Sequence, residues 1–595
     1  MLHLYTMKSI CITLFGLLTV LTNTVAQDGS GTSLLPTETI PFKTFNSAGA
    51  TLSDVKIENQ PFRRVYQVST LQQTDNANFT LRYRIEHQVQ KGDVLLLSFY
   101  TRSLQSKKET GESFLEIALD RFPNGKYEWP PLLERGMSFG TQWVLTQIPF
   151  VASRDVLKGD LALILKCGRF PQVFEVGGIS LLNYHQSKKL SDLPRSIVHY
   201  DGDAPDAAWR KAAAERIEKY RKAPLTVKVV DASGKPVSGA EITVKMTKNA
   251  FAWGTATASQ RILDTKDPNS KIYRDTLLRK FNTVVLENEM KPSNRSRFKE
   301  TQTQNGINWF KSHDIPVRGH VMVWPSWQHS PHLEKYKSDK EALREAIFTQ
   351  INEQTTQMKG QFTEWDVVNE PYAHHSIIDS LGGPEVMVKW FQAARKNLPD
   401  VKLFLNDYTM FHAEKAGSDH FYNTVKFLKE KGAPIDGIGE QGHIGGTPPG
   451  IEYILSRLDR FAEFGLPIQI SEFDITSDDD DFKARYLRDF MTAIFSHPST
   501  TGLVQWGFWE GQHWIPAGAL WDKNWKGRQH GQEITDMIIQ SWRTGVKGKT
   551  AKDGTYSVKA FLGIYDVSVT FNGKTSVQTY TLDAKGGTVT VRINK

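Results

Sequence analysis

Cysteine is nearly absent from this chain of 595 residues, because only Cys11 and Cys167 occur. Cys11 lies in a segment that we expect to be removed, so the mature chain can form no intramolecular disulfide. A zinc site built from several cysteines is excluded for the same reason, and metal chemistry is left to carboxylates and histidines. We expect Cys167 to be a small buried apolar residue rather than a nucleophile. Packed apolar cores must therefore hold the domains together.

Long apolar runs are also missing, since the only sustained one covers residues 10–21. This is far short of the roughly 20 residues that span a bilayer. Lys8 precedes the run and the small residues 24–26 follow it, which is the order of a secretory signal. We predict that residues 1–26 are a signal peptide cleaved after Ala26, and that the product is secreted or periplasmic and free of the membrane. An uncleaved anchor is the alternative.

No block of one charge stands out, because 73 Lys and Arg are spread against 65 Asp and Glu, a net charge of +8. No basic stretch alternates with aromatic residues, so nucleic acid is not an expected partner. Apolar residues make up 39% of the chain and charged residues 23%, which is typical of globular proteins and excludes general disorder. At about 100–200 residues per domain, we expect roughly three folded units and a monomer.

The N-terminal part, residues 27–190, has the pattern of an all-β unit. Leu81, Tyr83 and Ile85 alternate with polar residues, and turn residues separate this run from the next ones. Alternation of period two predicts a β-sandwich or jelly roll.

A linker and a connecting helix are predicted for residues 191–224. Trp209, Ala213 and Ile217 recur at the spacing of one helix face before Pro224 ends the pattern.

Residues 225–247 read as a β-hairpin, with two apolar-alternating runs around the turn Asp231-Ala232-Ser233-Gly234. Similar alternation returns only in the C-terminal strands of residues 544–595. Neither piece is large enough to be stable alone. We therefore expect them to pair into one small split β-sandwich, with the segment between them inserted as a separate domain.

That inserted segment, residues 248–543, contains eight short apolar runs separated by amphipathic stretches. They start near residues 251, 283, 316, 362, 402, 435, 467 and 502. Strand and helix alternating eight times over this length predict a (β/α)₈ TIM barrel, in which the chemistry lies at the C-terminal ends of the strands.

Two of these runs end in glutamates, Glu370 after the fourth and Glu472 in the seventh. Unpaired carboxylates next to buried strands are costly, and two facing one barrel mouth are what cleavage of a glycosidic bond needs. Polar and aromatic residues follow the other runs, which suits a ligand rich in hydroxyl groups. They are Glu287, Asn288, Lys291, His320, Trp324, Tyr408, Gln441, His443, Trp506 and Trp514.

Seven motifs in barrel order make the resemblance specific: ENEMK, RGHVMVW, WDVVNEP, FLNDY, GIGEQGH, ISEFD, and WG followed by Trp514. On these residues, 251–543 resemble the catalytic domain of glycoside hydrolase family ten, the endo-β-1,4-xylanases. The flanking hairpin and C-terminal strands resemble the plant-like branch of that family, whose N-terminal modules are often carbohydrate-binding jelly rolls. The resemblance therefore implies that residues 27–190 are similar to a carbohydrate-binding module. The resemblance implies xylan or a related plant cell-wall polysaccharide as partner, and neither a cofactor nor a metal.

Residue by residue, the resemblance implies Glu370 as general acid/base and Glu472 as nucleophile of a retaining mechanism. It also implies that Asn369 binds the sugar 2-hydroxyl and that His443, Gln441 and Asp474 support Glu472. Glu287, Asn288, Lys291, His320 and Trp324 would line the glycone side, with Trp506 and Trp514 below the sugar. Retention requires carboxyl groups about 5–5.5 Å apart. The charge of Glu472 should keep Glu370 protonated, and a donor from His443 should keep Glu472 ionised.

Two departures from the family pattern bear on substrate preference. Pro325 stands where the family has His or an acidic residue, and residues 526–529, Lys-Gly-Arg-Gln, replace a Lys-Pro pair. A related enzyme acting on mixed-linkage β-glucan, a xylan transglycosylase and a non-catalytic carbohydrate-binding protein stay open as alternatives.

Two further features have two interpretations each. In the N-terminal unit, Tyr127, Trp129 and Trp143 either stack on sugar or belong to the core. The acidic run of residues 478–481 either binds Ca²⁺ or, as we expect, begins a helix over residues 482–495, where negative charge favours the N-terminal dipole.

Overall fold

The computed structural model describes residues 31–71, 79–106, 113–168, 171–196, 199–411, 415–445, 448–477 and 479–593. The predicted signal peptide lies outside these ranges. Among the described residues, no helix is both long enough and apolar enough to cross a membrane.

Strands dominate both ends of the chain, and strands alternate with helices between them. The strands are β1 (Thr32–Ser33), β2 (Lys43–Phe45), β3 (Thr51–Lys56), β4 (Arg64–Ser69), β5 (Thr80–Ile85), β6 (Val94–Ser106), β7 (Ser113–Arg121), β8 (Glu128–Phe139), β9 (Val144–Val151), β10 (Leu161–Lys166), β11 (Gln172–Asn183), β12 (Lys222–Asp231), β13 (Glu241–Asn249), β14 (Ala252–Thr257), β15 (Thr283–Leu286), β16 (Val317–Gly319), β17 (Glu364–Asn369), β18 (Lys402–Asp407), β19 (Gly437–Glu440), β20 (His443–Ile444), β21 (Ile468–Ile475), β22 (Thr500–Gln505), β23 (Gly545–Lys549), β24 (Thr555–Phe561), β25 (Gly563–Phe571), β26 (Lys574–Leu582) and β27 (Gly587–Ile593). The helices are α1 (Ala208–Tyr220), α2 (Ser259–Leu263), α3 (Pro268–Lys280), α4 (Glu300–Ser312), α5 (Lys340–Gln357), α6 (Ser376–Ser380), α7 (Glu385–Asn397), α8 (Lys415–Glu430), α9 (Ile451–Ala462), α10 (Asp480–Ser496) and α11 (Gln529–Thr535).

The N-terminal unit is a β-sandwich of two antiparallel sheets. One has the order β3-β4-β11-β6-β9 with β1 added to β11, and the other has the order β2-β5-β10-β7-β8. Leu81, Leu97, Leu163 and Phe174 are fully buried between the sheets, as period-two alternation requires. Cys167 is buried in the same core, and burial raises the pKa of its thiol. The sandwich prediction is confirmed.

Helix α1 connects this sandwich to the rest of the chain and buries Trp209, Ala213 and Ile217, as their spacing predicts. Its Arg210 donates from both terminal nitrogens to the Asp489 carboxylate on α10, at 2.6 Å each. Arg221, just after the helix, donates to backbone carbonyls at the C-terminal end of α10, among them that of Phe495 at 2.6 Å. The connecting helix is therefore fixed to the barrel rather than being a free linker.

The barrel closes from eight parallel strands in the order β14, β15, β16, β17, β18, β19, β21 and β22, with β22 pairing back onto β14. Every strand begins within two residues of the run predicted from the sequence. Each strand is buried along most of its length, which explains why the sequence shows short apolar runs rather than alternation. The TIM-barrel prediction is confirmed.

The small split sandwich is also present. In one sheet, β12 lies between β24 and β27, and in the other β13 lies between β23 and β25, with β26 on the outer side of β25. Val227, Val244 and Val567 are fully buried between the two sheets. The N-terminal strands thus supply the centre of each sheet, and the C-terminal segment supplies the strands around them.

The predicted hairpin of residues 225–247 is wrong, because β12 and β13 do not pair with each other but lie in opposite sheets. The turn forms as expected, since the Asp231 carboxylate accepts from the backbone N–H of Ser233 and Lys235. The chain then bends again at Gly239, whose φ of +76° lies in the left-handed region that favours glycine. This second bend carries β13 across the core to the other sheet.

Helix α10 begins at Asp480, directly after the N-cap Asp479, whose carboxylate accepts from the backbone N–H of Phe482 at 3.0 Å. Asp480 and Asp481 occupy the first turn, where negative charge is favoured. The acidic run is therefore a helix start, two residues earlier than predicted; Asp478 lies outside the described residues.

Candidate active site

Glu370 and Glu472 lie at the C-terminal end of the barrel strands. Glu370 follows β17 directly with a φ of +55°, an unusual backbone conformation for a residue with a side chain, and its N–H donates to the Asn406 carbonyl at 2.8 Å. Glu472 lies within β21 at an irregularity in the pairing with β22, between Ile470 and Phe473. Bulges of this kind reorient side chains. The local backbone conformation therefore determines the orientation of both glutamate side chains.

A chain of amide groups connects the two carboxylates. Glu370 Oε1 accepts from Gln441 Nε2 at 2.7 Å and from Asn369 Nδ2 at 3.1 Å. Asn406 Nδ2 donates both to Asn369 Oδ1 and to Glu472 Oε1, each at 2.8 Å. The two carboxylates therefore share one network built from the ends of four strands or their following loops.

The surroundings of Glu472 favour its ionised form. Burial alone would raise the pKa of this carboxyl, but His320, His443 and Lys291 outweigh it and lower the pKa to about 2. His443 Nε2 lies 3.6 Å from Glu472 Oε2, and His320 Nδ1 lies 3.9 Å from Oε1.

Asp474 holds His443 in place. The His443 Nδ1 atom lies 3.0 Å from Asp474 Oδ1, and Trp514 Nε1 donates to the other carboxylate oxygen at 2.7 Å. Burial opposes charge on the His443 ring, but Asp474 and Glu472 outweigh it and raise the pKa of the ring to about 10. The imidazole is therefore cationic at neutral pH.

In contrast to Glu472, the pKa of the Glu370 carboxyl is raised. Burial raises the pKa of its carboxyl, the charge of Glu472 raises it further, and the hydrogen bond from Gln441 only partly offsets this. Trp324 Nε1 donates to Oε2 at 3.1 Å, and His374 Nε2 lies 3.3 Å from the same oxygen. The two carboxyls of the site thus have pKa values displaced in opposite directions.

One wall of the mouth carries the residues predicted for the glycone side. Lys291 Nζ donates to Asn288 Oδ1 at 3.2 Å and lies 5.4 Å from the Trp324 ring centroid. Burial raises the pKa of the neighbouring Glu287 carboxyl. His320 is buried, with Nδ1 3.0 Å from Asp366 Oδ2.

The predicted aromatic residues differ in exposure. Trp506 is 5% exposed and lies edge-on to the His320 ring at 5.3 Å, whereas Trp514 is 52% exposed. Tyr408 is half-buried, and burial together with Asp407 and Glu370 raises its pKa to about 12. The structure therefore brings every residue predicted for the site to one end of the barrel.

Two placements differ from expectation. Gln441 was expected to support Glu472, but its side chain donates to Glu370, while only its backbone carbonyl accepts from the Glu472 N–H at 2.9 Å. Glutamine is long enough to reach either carboxylate, so the sequence alone does not decide between them. Arg528, in the segment that departs from the family pattern, donates to the backbone carbonyls of Pro516, Ala517 and Ala519 and so supports the loop after Trp514.

Three residues of the site were not predicted to belong to it. Asn406 is fully buried at the centre of the amide network, and it stands inside the FLNDY motif, which could have indicated it. His329 and His374 lie beside Glu370, with their rings 4.5 Å apart. Burial lowers the pKa of His329 to about 4, and the neighbouring His374 and Lys291 contribute. No sequence pattern pairs these two histidines, because they come from different loops.

A second candidate site lies on the outer face of the N-terminal sandwich. Tyr127 and Trp129 are 54% and 59% exposed, so they are not core residues. Trp143 instead packs against Phe62 at 5.2 Å with the Arg102 guanidinium above it.

Polar groups on the same sheet accompany this aromatic pair. Lys166 forms ion pairs with Glu116 and Glu134 on neighbouring strands. Burial raises the pKa of Glu116 to about 7. The buried Asp120 Oδ1 has no hydrogen-bond partner within the described part of the chain. Buried polar atoms without partners are costly and therefore uncommon.

The profile of Glycosyl hydrolase family 10 matches residues 243–537. Anti-sigma-I factor RsgI6 of Acetivibrio thermocellus is 31% identical over 389 residues, which cover 64% of this chain and 49% of that protein. Endo-1,4-beta-xylanase B of Thermotoga neapolitana is 30% identical over 269 residues, which cover 42% of this chain and 76% of that protein.

Xylanase 10B from Thermotoga petrophila RKU-1, in complex with xylobiose, matches with a TM-score of 0.44 and 26% identity, over 49% of this chain and 95% of that one. The chain spans about half the length of the first curated relative that it matches, at 49%.

Proposed function

Because the chain belongs to glycosyl hydrolase family 10, we propose that it is a retaining endo-β-1,4-xylanase that hydrolyses internal linkages of xylan by double displacement. The observation that carries this proposal is the pair of buried carboxyls with pKa values displaced in opposite directions, Glu472 downward and Glu370 upward. Environments that separate two titratable groups in this way are typical of an acid and a nucleophile in one site.

In the first step, the ionised Glu472 attacks the anomeric carbon. The bond from that carbon to the leaving oxygen breaks, and Glu370 gives its proton to this oxygen, so the shortened chain departs as an alcohol. The neighbouring His443 and Lys291 favour the ionised form of Glu472. They do not occupy all of its lone pairs, since among the described residues only the Asn406 amide lies within hydrogen-bond distance of Oε1. The product of this step is a glycosyl ester on Glu472.

In the second step, water reverses the substitution. Once Glu472 is esterified its negative charge is gone, so one of the causes that raise the Glu370 pKa is removed. Glu370 then takes a proton from the water as its oxygen attacks the anomeric carbon, and Glu472 leaves as a carboxylate. Two inversions at one carbon retain its configuration.

The remaining residues position the sugar. Asn369 lies between the two carboxyls, next to where the 2-hydroxyl of the reacting sugar would lie, and Lys291 and Asn288 offer polar contacts on one wall. The exposed Trp514 offers a flat surface for the C–H face of a sugar ring. We assign these contacts to xylan; mixed-linkage β-glucan is the competing substrate, because the contacts suit any β-1,4-linked chain.

Replacement of the nucleophile tests the mechanism. Glu472→Ala should lose nearly all hydrolysis of an aryl xylobioside, and added azide should restore product release as the glycosyl azide of inverted configuration. The matched control is Glu452→Ala, which removes an exposed glutamate in the first turn of α9 and should hydrolyse like wild type. Full activity of Glu472→Ala would refute the assignment.

Substrate preference and the class of protein need a separate assay. Release of reducing ends from xylan, measured beside mixed-linkage β-glucan, should favour xylan. Binding of both polymers without any turnover would instead favour the non-catalytic alternative. A predominance of longer transfer products over reducing ends would favour the transglycosylase.

We propose that the N-terminal sandwich binds the same polysaccharide through Tyr127 and Trp129. Their exposure and the adjacent Glu116, Asp120 and Lys166 support this, because aromatic faces beside polar groups suit a sugar chain. Tyr127→Ala with Trp129→Ala should abolish retention of the full chain on insoluble xylan while sparing hydrolysis of a short soluble substrate. Phe45→Ala, a partly exposed aromatic on the same sheet, serves as control. Undiminished retention would remove the proposal.

We also propose that the protein is exported by a cleaved signal formed by residues 1–26, on the order of charged, apolar and small residues described above. N-terminal sequencing of the protein recovered from its natural host should begin at Gln27. A sequence that begins at the initiator methionine would contradict this.

A further inference from the structure

His329, Glu370 and His374 each offer one ligand atom, and these three atoms lie within 4.8 Å of one another. We propose that they form a Zn²⁺ site, and that the bound ion reversibly inhibits the enzyme by occupying its general acid. The inhibition rests on the proposed function of Glu370, whereas binding of the ion does not.

The distances suit a small tetrahedral ion. Zn²⁺ lies about 2.0–2.2 Å from imidazole nitrogen and carboxylate oxygen, so two of its ligand atoms lie roughly 3.3–3.5 Å apart. The distance from His374 Nε2 to Glu370 Oε2 is 3.3 Å, which already matches this edge of the tetrahedron. The ring of His329 needs to approach the other two atoms by at most about 1.5 Å, the difference between 4.8 and 3.3 Å.

The loops that carry the three residues are already joined. The backbone N–H of Ile377 donates to the Pro325 carbonyl at 3.0 Å, and that of Trp327 donates to Ser376 Oγ at 3.3 Å. The His374 N–H donates to the Glu370 carbonyl at 3.0 Å, which closes one turn and places both side chains on the same side. The metal-binding groups are therefore held near each other before any ion arrives.

Aromatic packing fixes the orientation of the His329 ring. It stacks on Trp324 with a centroid distance of 3.8 Å and an interplanar angle of 8°, and it meets the His374 ring edge-on at 89°. Such outer contacts orient metal-ligating histidines and strengthen binding. Trp324 itself donates to Glu370 Oε2, so it supports two of the three ligands.

The donor set selects the metal. Two imidazoles and one carboxylate suit Zn²⁺ and the neighbouring late transition metals, whereas Mg²⁺ and Ca²⁺ prefer sites made of oxygen. Three protein ligands leave a fourth position for water. An ion on Oε2 takes the electron pair with which Glu370 would hold the proton for the leaving oxygen, so the first step of hydrolysis stops until the ion departs.

Direct metal binding is the first test, made on the untagged full chain. Titration calorimetry with ZnCl₂ should show one site per chain, and CoCl₂ should give the intense visible absorption of tetrahedral Co²⁺. His329→Ala and His374→Ala should each weaken Zn²⁺ binding by at least about tenfold. His375→Ala is the matched control, because His375 is adjacent to His374, largely exposed, and bound to Asp379 instead; it should bind Zn²⁺ like wild type.

The second test is inhibition, measured as hydrolysis of a soluble xylo-oligosaccharide with ZnCl₂ and then with excess EDTA. Wild type and His375→Ala should be inhibited and should recover, whereas His329→Ala and His374→Ala should resist Zn²⁺ relative to their own metal-free rates. His374→Gln provides a second variant in case an alanine variant does not fold.

The outcomes separate the two proposals. Zn²⁺ binding that depends on both histidines in a protein without hydrolase activity would keep the metal site and refute the proposed function. Absence of the calorimetric site in an active wild type, or equal Zn²⁺ affinity in all the variants, would overturn the metal site alone.

Discussion

Asn406 provides the sharpest test of how the site is built, because it bridges the two halves of the catalytic network. Its single amide nitrogen donates to Glu472 Oε1 and to Asn369 Oδ1, at 2.8 Å each, and its oxygen accepts from Ser471 Oγ at 2.5 Å. The side chain is fully buried. Asn406→Ala removes all three contacts and leaves water or a cavity beside Glu472.

The structure sets the expected magnitude. A hydrogen bond to a charged group contributes about 1.5–3 kcal/mol, and a neutral one about 0.5–1.5 kcal/mol. The contact with Glu472 belongs to the first kind and the contacts with Asn369 and Ser471 to the second, so Asn406→Ala should lower the free energy of unfolding by about 2.5–6 kcal/mol. Misplacement of Glu472 should also lower kcat/KM by roughly 10- to 100-fold.

Urea denaturation followed by tryptophan fluorescence and circular dichroism measures the first quantity, and initial rates on an aryl xylobioside measure the second. Asn308→Ala is the matched control, since Asn308 is exposed on α4 and contacts only the Gln304 side chain among the described residues. It should change the free energy of unfolding by less than about 0.5 kcal/mol.

A second variant, Asn406→Asp, tests the same position with a side chain of nearly the same volume. It replaces the donor by a carboxyl that faces Glu472, so the pKa of the introduced group should be raised in the folded state. An acid with a raised folded pKa binds its proton more tightly when folded, and the stability of this variant should therefore fall as pH rises from 4 to 8. Stability losses below about 1 kcal/mol in Asn406→Ala, or equal effects in Asn308→Ala, would refute the reasoning.

Three further outcomes are expected. Arg221→Met should lower the free energy of unfolding by about 2–4 kcal/mol in urea, because the backbone carbonyls of Phe495, His497 and Thr500 lose a partly buried cationic donor, whereas Lys219→Met on the exposed surface of α1 should not. Residues 544–595 expressed alone should give the amide spectrum of an unfolded chain, since their strands pair around β12 and β13; a dispersed spectrum would refute the split sandwich as one unit. The folded pKa of His443 is about 10, above its ordinary value of 6.5. Its contribution to stability is therefore complete below pH 6.5 and is lost as the pH rises from 6.5 to 10. Over that range, the melting temperature of His443→Gln should decline less than that of wild type.

Much of the fold could be predicted because barrel strands leave a strong local signal. A strand buried on both faces is a short apolar run, and eight of them with helices between admit few other architectures. The split sandwich carries a weaker signal. Alternation identified β12 and β13 as strands but did not say with which strands they pair, and proximity along the chain favoured a hairpin that does not form.

The site shows the same limit at the level of side chains. A residue at the end of a barrel strand was placed at the mouth correctly, because backbone direction alone determines that. The partner of Gln441 could not be predicted, because it depends on the left-handed backbone of Glu370 and the irregularity at Glu472. The exposure of Tyr127 and Trp129 could not be predicted either. Several strands of that sandwich bury residues on both faces, so the alternation of apolar and polar residues does not indicate which side chains are exposed.

The sequence predicts that the pKa values of the two carboxyls differ, and the structure supplies the physical causes of that difference. Glu370 and Glu472 are 8% and 5% exposed, so burial acts on both in the same direction and raises both pKa values. What separates them is the placement of the surrounding groups. At Glu472 the influence of His320, His443 and Lys291 outweighs burial. At Glu370 the hydrogen bond from Gln441 and the influence of His374 and His320 do not outweigh it. If the basic groups lay beside Glu370 instead of Glu472, the pKa displacements of the two carboxyls would be exchanged. The neighbouring groups therefore determine the chemical roles as much as the two glutamates do.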